Sequence, residues 1–125
     1  MAEERMAGSE RARRTEQFSV LATPLGDVTV LTVAGEIDLD TSADIRRALA
    51  AVAAPRPRVV VDLRRVTFID SSAINVFIAA HRDLTGAGGW LRLAGPAESV
   101  TRTLEIVGID TCIDILPTLG EALDK

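Results

Sequence analysis

Serine is the residue whose placement here could do chemistry. In 66-VTFIDSSAINVFIAAH-81 two hydroxyls, Ser71 and Ser72, follow Asp70 where an apolar β-like run becomes a helix-like one. They could serve as an enzyme's nucleophile, as a phosphate acceptor, or as the cap of a helix. A nucleophile needs a base within about 2.6–3.2 Å. His81 is the single histidine, and if 71 to 84 is one helix it lies ten residues from Ser71, about 15 Å along the axis at 1.5 Å per residue. The segment also lacks the G-x-S-x-G elbow that lifts a serine out of an α/β-hydrolase sheet. His81 shares the apolar face with Ile74, Phe77, Ile78 and Leu84, so it reads as a packed or half-buried side chain and no ligand.

Other chemistries find less support. Cys112 and His81 are isolated, and no histidine or cysteine pair has metal-ligand spacing. The glycines of 86-GAGG-89 precede a strand and lack a following Lys-Ser/Thr, which makes them a turn and no phosphate loop. Asp62 and Asp70 invite comparison with the phospho-accepting aspartates of two-component receivers. Such sites need an acidic cluster for magnesium and a nearby lysine, and lysine occurs only at Lys125. No catalytic residue, metal or cofactor is therefore expected.

The totals narrow the partners. A chain of 125 residues is most simply one domain with a real core. A net charge of −4 with scattered arginines argues against direct nucleic-acid binding, which wants a concentrated basic patch. No apolar run approaches the length of a membrane span, and no apolar stretch follows the N-terminal charges as a secretory signal would. A lone cysteine fits a reducing cytoplasm. The oligomeric state is left open.

The elements that must position the serines follow from periodicity. Residues 1–15 mix charges with small residues and read as a flexible tail, with the folded domain over 16–125. Segments 17-QFSVLAT-23 and 28-VTVLTVA-34 flank the turn 24-PLGD-27 and form a hairpin. Ile45, Ala48, Leu49 and Val52 mark one face of a helix, capped by Thr41 with Asp44 completing a capping box and stopped by 55-PRP-57. The run 59-VVVDL-63 is a strand buried on both faces. The helix from Ser71 ends at 86-GAGG-89, and 90-WLRLA-94 is a strand. A helix over 96-PAESVTRTLEIV-107 has Pro at its start and Gly108 past its end. A strand over 111-TCIDIL-116 and a helix over 118-TLGEALDK-125, with Thr118 and Glu121 as a second capping box, complete the chain. The expected class is α/β, order ββαβαβαβα, a mixed sheet with helices packed on it.

Capping alone accounts for an aspartate or serine at a helix start. Two features point further. Asp70 would suffice as a cap, yet two hydroxyls sit in the first turn beside it. On a helical wheel Ser71, Asn75 and Arg82 share the face opposite Phe77, with Ser72 and Ala79 beside them and Ile78 on the border. That is a small, mostly uncharged strip suited to a partner protein.

Two motifs, 35-GEIDLDTS-42 and 66-VTFIDSSAI-74, with the later 90-WLRLAGPAESVTRTLEIVGID-110, are similar to those of the STAS family. The chain specifically resembles its small stand-alone members, the bacterial anti-sigma factor antagonists, over roughly residues 16 to 123. The resemblance implies a phospho-switch in the cytoplasm. Such antagonists bind an anti-sigma factor that is also a serine kinase and free the sigma factor it held. The kinase phosphorylates the serine directly after the aspartate, here Ser71, and a PP2C-type phosphatase restores it. Carried onto this chain, the resemblance puts Asp38 in the partner contact and Ser72 at the neighbouring Ser/Thr position, with Gly35 and Glu36 holding a loop's shape. With the strip from the helical wheel, the expected partner surface comprises Asp38, Asp70, Ser72, Asn75 and Ile78. Ala73 stands where the family usually has glycine, with Ile74 for leucine, and its extra methyl group is positioned to obstruct the kinase. The alternative role on the same fold is an unmodified docking subunit of another assembly, such as a lipid-transport ATPase complex. A serine hydrolase would react with a fluorophosphonate probe, and no reaction is expected.

Overall fold

Runs rich in β-branched residues become five strands in the computed structural model, which describes residues 18–124. The proposed tail over 1–15 lies outside the described residues. The elements run β1 (Ser19–Leu25), β2 (Val28–Ile37), α1 (Leu39–Ala50), β3 (Arg58–Ile69), α2 (Ser71–Gly86), β4 (Trp90–Ala94), α3 (Glu98–Ile106), a 3-10 turn (Ile109–Thr111), β5 (Asp114–Leu116) and α4 (Leu119–Asp124). The strands lie in the order β1-β2-β3-β4-β5. β1 runs antiparallel to β2, and every other neighbouring pair is parallel. A mixed sheet follows directly from a hairpin feeding three β–α units, as the sequence leads one to expect.

Strand alternation divides the core. Leu31, Val33, Val59, Val61, Leu63, Leu91 and Leu93 face α1 and α2, whose Ile45, Leu49, Ala73 and Phe77 close over them. Phe77 is fully buried, so truncating it to alanine costs about 3–5 kcal/mol. On the other face Val60, Ala94 and Leu116 meet Ala122 of α4. All of Val59–Leu63 is buried, as expected for a strand covered on both sides.

Several boundaries differ from the sequence expectation. β3 continues past Leu63 to Ile69, although Arg64, Arg65, Thr67 and Phe68 are exposed. Its register against β2 shifts twice, between Thr32 and Ala34 and between Gly35 and Glu36, so β3 carries extra residues opposite β2. Gly35 and Glu36 therefore belong to a strand, opposite the bulges of β3, and to no loop. The hairpin strands reach Leu25 and Val28, which leaves Gly26 and Asp27 as the turn.

The first helix is capped by Asp38, three residues before the expected Thr41, and Thr41 is its reciprocal partner. Asp44 is buried and paired with Arg47 instead. That helix ends at Ala50, ahead of 55-PRP-57. The third helix begins at Glu98, leaving Pro96 before its cap. The strand expected over 111–116 is confined to Asp114–Leu116. Gly108, at φ 77°, ends α3 in the left-handed region that glycine adopts freely. The 3-10 turn after it, closed by Thr111 N–H to Gly108 O at 3.1 Å, buries both Ile109 and Ile113. Those β-branched side chains are spent on packing and not on pairing.

Candidate functional site

Two parallel strands end side by side, and each is followed by the same three-step local structure. Ile37 pairs with Ile69, both buried, and Asp70 N–H donates to Ile37 O at 3.2 Å. Each isoleucine anchors its strand end in the core. Each following aspartate takes an extended conformation, at φ −125°, ψ −167° for Asp38 and φ −122°, ψ −169° for Asp70. Each then caps a helix, whose first residue is Leu39 in α1 and Ser71 in α2.

The caps differ in strength. Asp38 Oδ1 accepts from Thr41 N–H at 3.0 Å, and Asp38 N–H donates to Thr41 Oγ1 at 2.8 Å. The Thr41 hydroxyl donates onward to Glu36 O at 2.9 Å, tying the cap to the strand. The Thr41 N–H holds the Asp38 carboxyl below its ordinary value, against a smaller opposing effect of burial. Among the described residues, Asp70 Oδ1 accepts from the Ser72 N–H, at 2.8 Å.

Of the expected partner surface, Asp38 and Asp70 lie at this paired strand end, together with Ser71, the expected phosphate acceptor. Ser71 is exposed and Ser72 half-buried. Asn75, Ala79 and Arg82 continue the exposed strip along α2, opposite the buried Phe77. Ile78 is half-buried and packs against the core, so only part of its side chain faces outward. Ala73 is 0 % exposed, which overturns the expected obstruction: its methyl group points into the core and adds packing there.

The remaining reactive groups stand apart. His81 is half-buried, its buried Nδ1 without a hydrogen-bond partner among the described residues, and it lies farther along α2 than a serine–histidine pair permits. Among the described residues, no three His, Cys, Asp or Glu side chains gather as a metal site would require. Asp62 is 2 % exposed and gripped by Arg64, with Nε and Nη2 at 3.0 and 2.7 Å. Burial pushes its carboxyl up, but the Arg64 side chain and backbone N–H together bring it below the ordinary value. This ion pair serves the sheet.

Sequence reasoning passed over two residues at the site. Leu39 is 75 % and Phe68 50 % exposed, although both are large and apolar. Glu36 and Asp40 are exposed near them. The signal for Leu39 was its position between two aspartates in 38-DLD-40, at the very start of a helix.

The family model described as STAS domain matches residues 19–122. An anti-sigma-B factor antagonist of Listeria monocytogenes is 33% identical over 90 residues, covering 71% of this chain and 79% of that protein. The anti-sigma-F factor antagonist RsfB of Mycobacterium tuberculosis is 28% identical over 109 residues, covering 86% and 88%. The crystal structure of an anti-sigma factor antagonist from Mycobacterium paratuberculosis superposes with a TM-score of 0.78 at 29% identity, covering 86% of this chain and 92% of that one.

Proposed function

The chain belongs to the STAS domain family, and from that premise we propose that it is an anti-sigma factor antagonist switched by phosphorylation of Ser71. It binds an anti-sigma factor serine kinase in the cytoplasm and so releases a sigma factor. Modification of Ser71 ends that binding, and a PP2C-type phosphatase restores it. The chain itself carries no catalytic group, cofactor or metal in this scheme. Among the described residues no helix is long and apolar enough to cross a membrane.

One observation carries the reading: the first hydroxyl after Asp70 is exposed at the start of α2, beside the start of α1. A kinase must bring an acceptor oxygen in line with the γ-phosphate, so the hydroxyl has to protrude. The phosphate adds about −1.5 to −2 charges at neutral pH. Placed in a docking surface, that charge loses its water or is left facing apolar groups, at a cost of several kcal/mol. Asp38, Asp70, Ser72, Asn75 and the outer part of Ile78 make up the contact.

Incubation with anti-sigma kinases and ATP, followed by mass spectrometric mapping, tests the scheme. Ser71 is expected to carry the phosphate, and Ser71→Ala to abolish it while keeping affinity for the kinase. Modification confined to another residue, or its absence with every kinase of the source genome, refutes the switch. In the second case the chain is better read as an unmodified docking subunit.

A further inference from the structure

Building on the antagonist reading, we infer that Leu39 anchors the docking contact, an apolar patch rimmed by carboxylates that fits a partner pocket with basic edges. Leu39 is 75 % exposed at the first position of α1, where helix formation makes no demand for a large apolar side chain. Isolated exposed leucines are ordinary on protein surfaces. The register sets this one apart. Leu39 follows Ile37 by the same two residues as Ser71 follows Ile69, and those isoleucines are paired. The leucine and the acceptor hydroxyl thus open neighbouring helices at one end of the sheet. Phe68, 50 % exposed, stands opposite Glu36 in the register and points away from the buried Ile69, so it lies on the other face of the strand from the helix starts.

Charge decides what covers this patch. Glu36 and Asp40 are exposed beside Leu39, Asp38 is held ionised by its cap, and Asp70 stands half-buried next to Ser71. Neither 36–40 nor 66–71 contains an arginine or lysine, and of the two exposed arginines just before, Arg64 is paired with Asp62, which leaves Arg65 against four carboxylates. An anionic lipid surface would be repelled, and so would a second copy presenting the same carboxylates. A protein surface with arginines or lysines around an apolar pocket satisfies both features, with the leucine filling the pocket and the carboxylates meeting the rim. With the rim's cations already paired to these carboxylates, a phosphate on Ser71 weakens binding through the cost of desolvating a dianion that has no cation left to meet it.

Calorimetric titration of the whole chain against the anti-sigma factor that phosphorylates it tests this, with Leu39→Ala and the double variant Glu36→Gln/Asp40→Asn. Leu39→Ala is expected to weaken binding at least about tenfold, as loss of an interface anchor does, with an unchanged melting temperature. The unmodified chain's affinity should fall as salt rises from about 50 to about 200 mM, and the Glu36→Gln/Asp40→Asn variant should flatten that dependence. A Leu39→Ala affinity within about twofold of the unaltered chain, or an affinity indifferent to salt, overturns the inference. If the unaltered chain binds and loses affinity on Ser71 phosphorylation while Leu39→Ala is neutral, the anchor alone is wrong. If the unaltered chain binds no anti-sigma factor, the antagonist reading falls and this inference with it.

Discussion

Phosphorylation of Ser71 should change binding far more than stability, and the geometry says by how much. The phosphate at the start of α2 gains about 0.3–1 kcal/mol from the helix dipole. Its two charges also face Asp70, one residue away. At roughly 7 Å in water each unit pair repels by about 0.6 kcal/mol. Salt at physiological strength, with a screening length of about 8 Å, cuts that by more than half. The dianion therefore costs about 0.5 kcal/mol against Asp70, and the two effects nearly cancel. Asp38 adds repulsion from farther off. For a domain of this size about 1 kcal/mol moves the melting temperature by roughly 4–8 °C, so a shift below about 5 °C is expected. At the interface, a loss of about 2.7 kcal/mol already weakens binding hundredfold. The assay pairs differential scanning calorimetry of stoichiometrically phosphorylated protein with titration against the kinase. A melting temperature lowered by more than about 10 °C would mean that the phosphate acts through the fold. Affinity within about threefold of the unmodified chain would refute the switch.

Asp70→Ala removes one capping bond and should cost about 1 kcal/mol in urea denaturation. Asp38→Ala removes the reciprocal box and should lower the urea midpoint further than Asp70→Ala does. Because the Asp38 carboxyl is held below its ordinary value of 3.8, its contribution is present above that value and is lost as pH falls below it. Removing the guanidinium by Arg64→Ala leaves burial as the dominant influence on Asp62, raising its carboxyl. The variant should then be destabilised near neutrality and recover stability as pH falls through the raised value, opposite to the unaltered protein, as followed by denaturation across pH. Gly89→Ala would place a methyl group 1.7 Å from Pro57 O, which accepts the Trp90 N–H at 3.0 Å. Its unfolding free energy should drop by about 1–3 kcal/mol or more, and an unchanged midpoint would show that the 57–58 segment yields.

Legibility in the sequence followed how local the cause was. Trp90–Ala94 and the start of α2 at Ser71 matched expectation because an apolar run, a cap and a glycine stop all lie within a few residues. The outward half of β3 was missed because Arg64, Arg65, Thr67 and Phe68 break the buried pattern, while the pairing that keeps them extended comes from β2. The cap of α1 was misplaced for a similar reason. Leu39 and Asp40 gave no buried period, so the helix seemed to start at Thr41, whereas its cap is fixed by register with Ile69 and Asp70. Asp62 within 59-VVVDL-63 could be read as charged but not as clamped. Arg64, two residues on along a strand and hence on the same face, was the available sign. At the candidate site, the start of a helix at Asp70 and Ser71 was legible from the local pattern, and the nearness of Asp38 from the family resemblance. The exposure of Leu39 and the inward turn of Ala73 needed the packed helices.

The reversed direction of β1 governs where attachments can go. Ser19 pairs with Ala34, close to the end where Ile37 and Ile69 lie, so a chain entering at Phe18 arrives on the Ser71 side of the molecule. α4 leads the other way, packing toward Val28 and Trp90 at the far end. A fluorescent protein or affinity handle fused beyond Asp124 leaves the docking region clear. The same cargo fused just ahead of Phe18 crowds it, and would mimic a loss of the switch in any assay that relied on it.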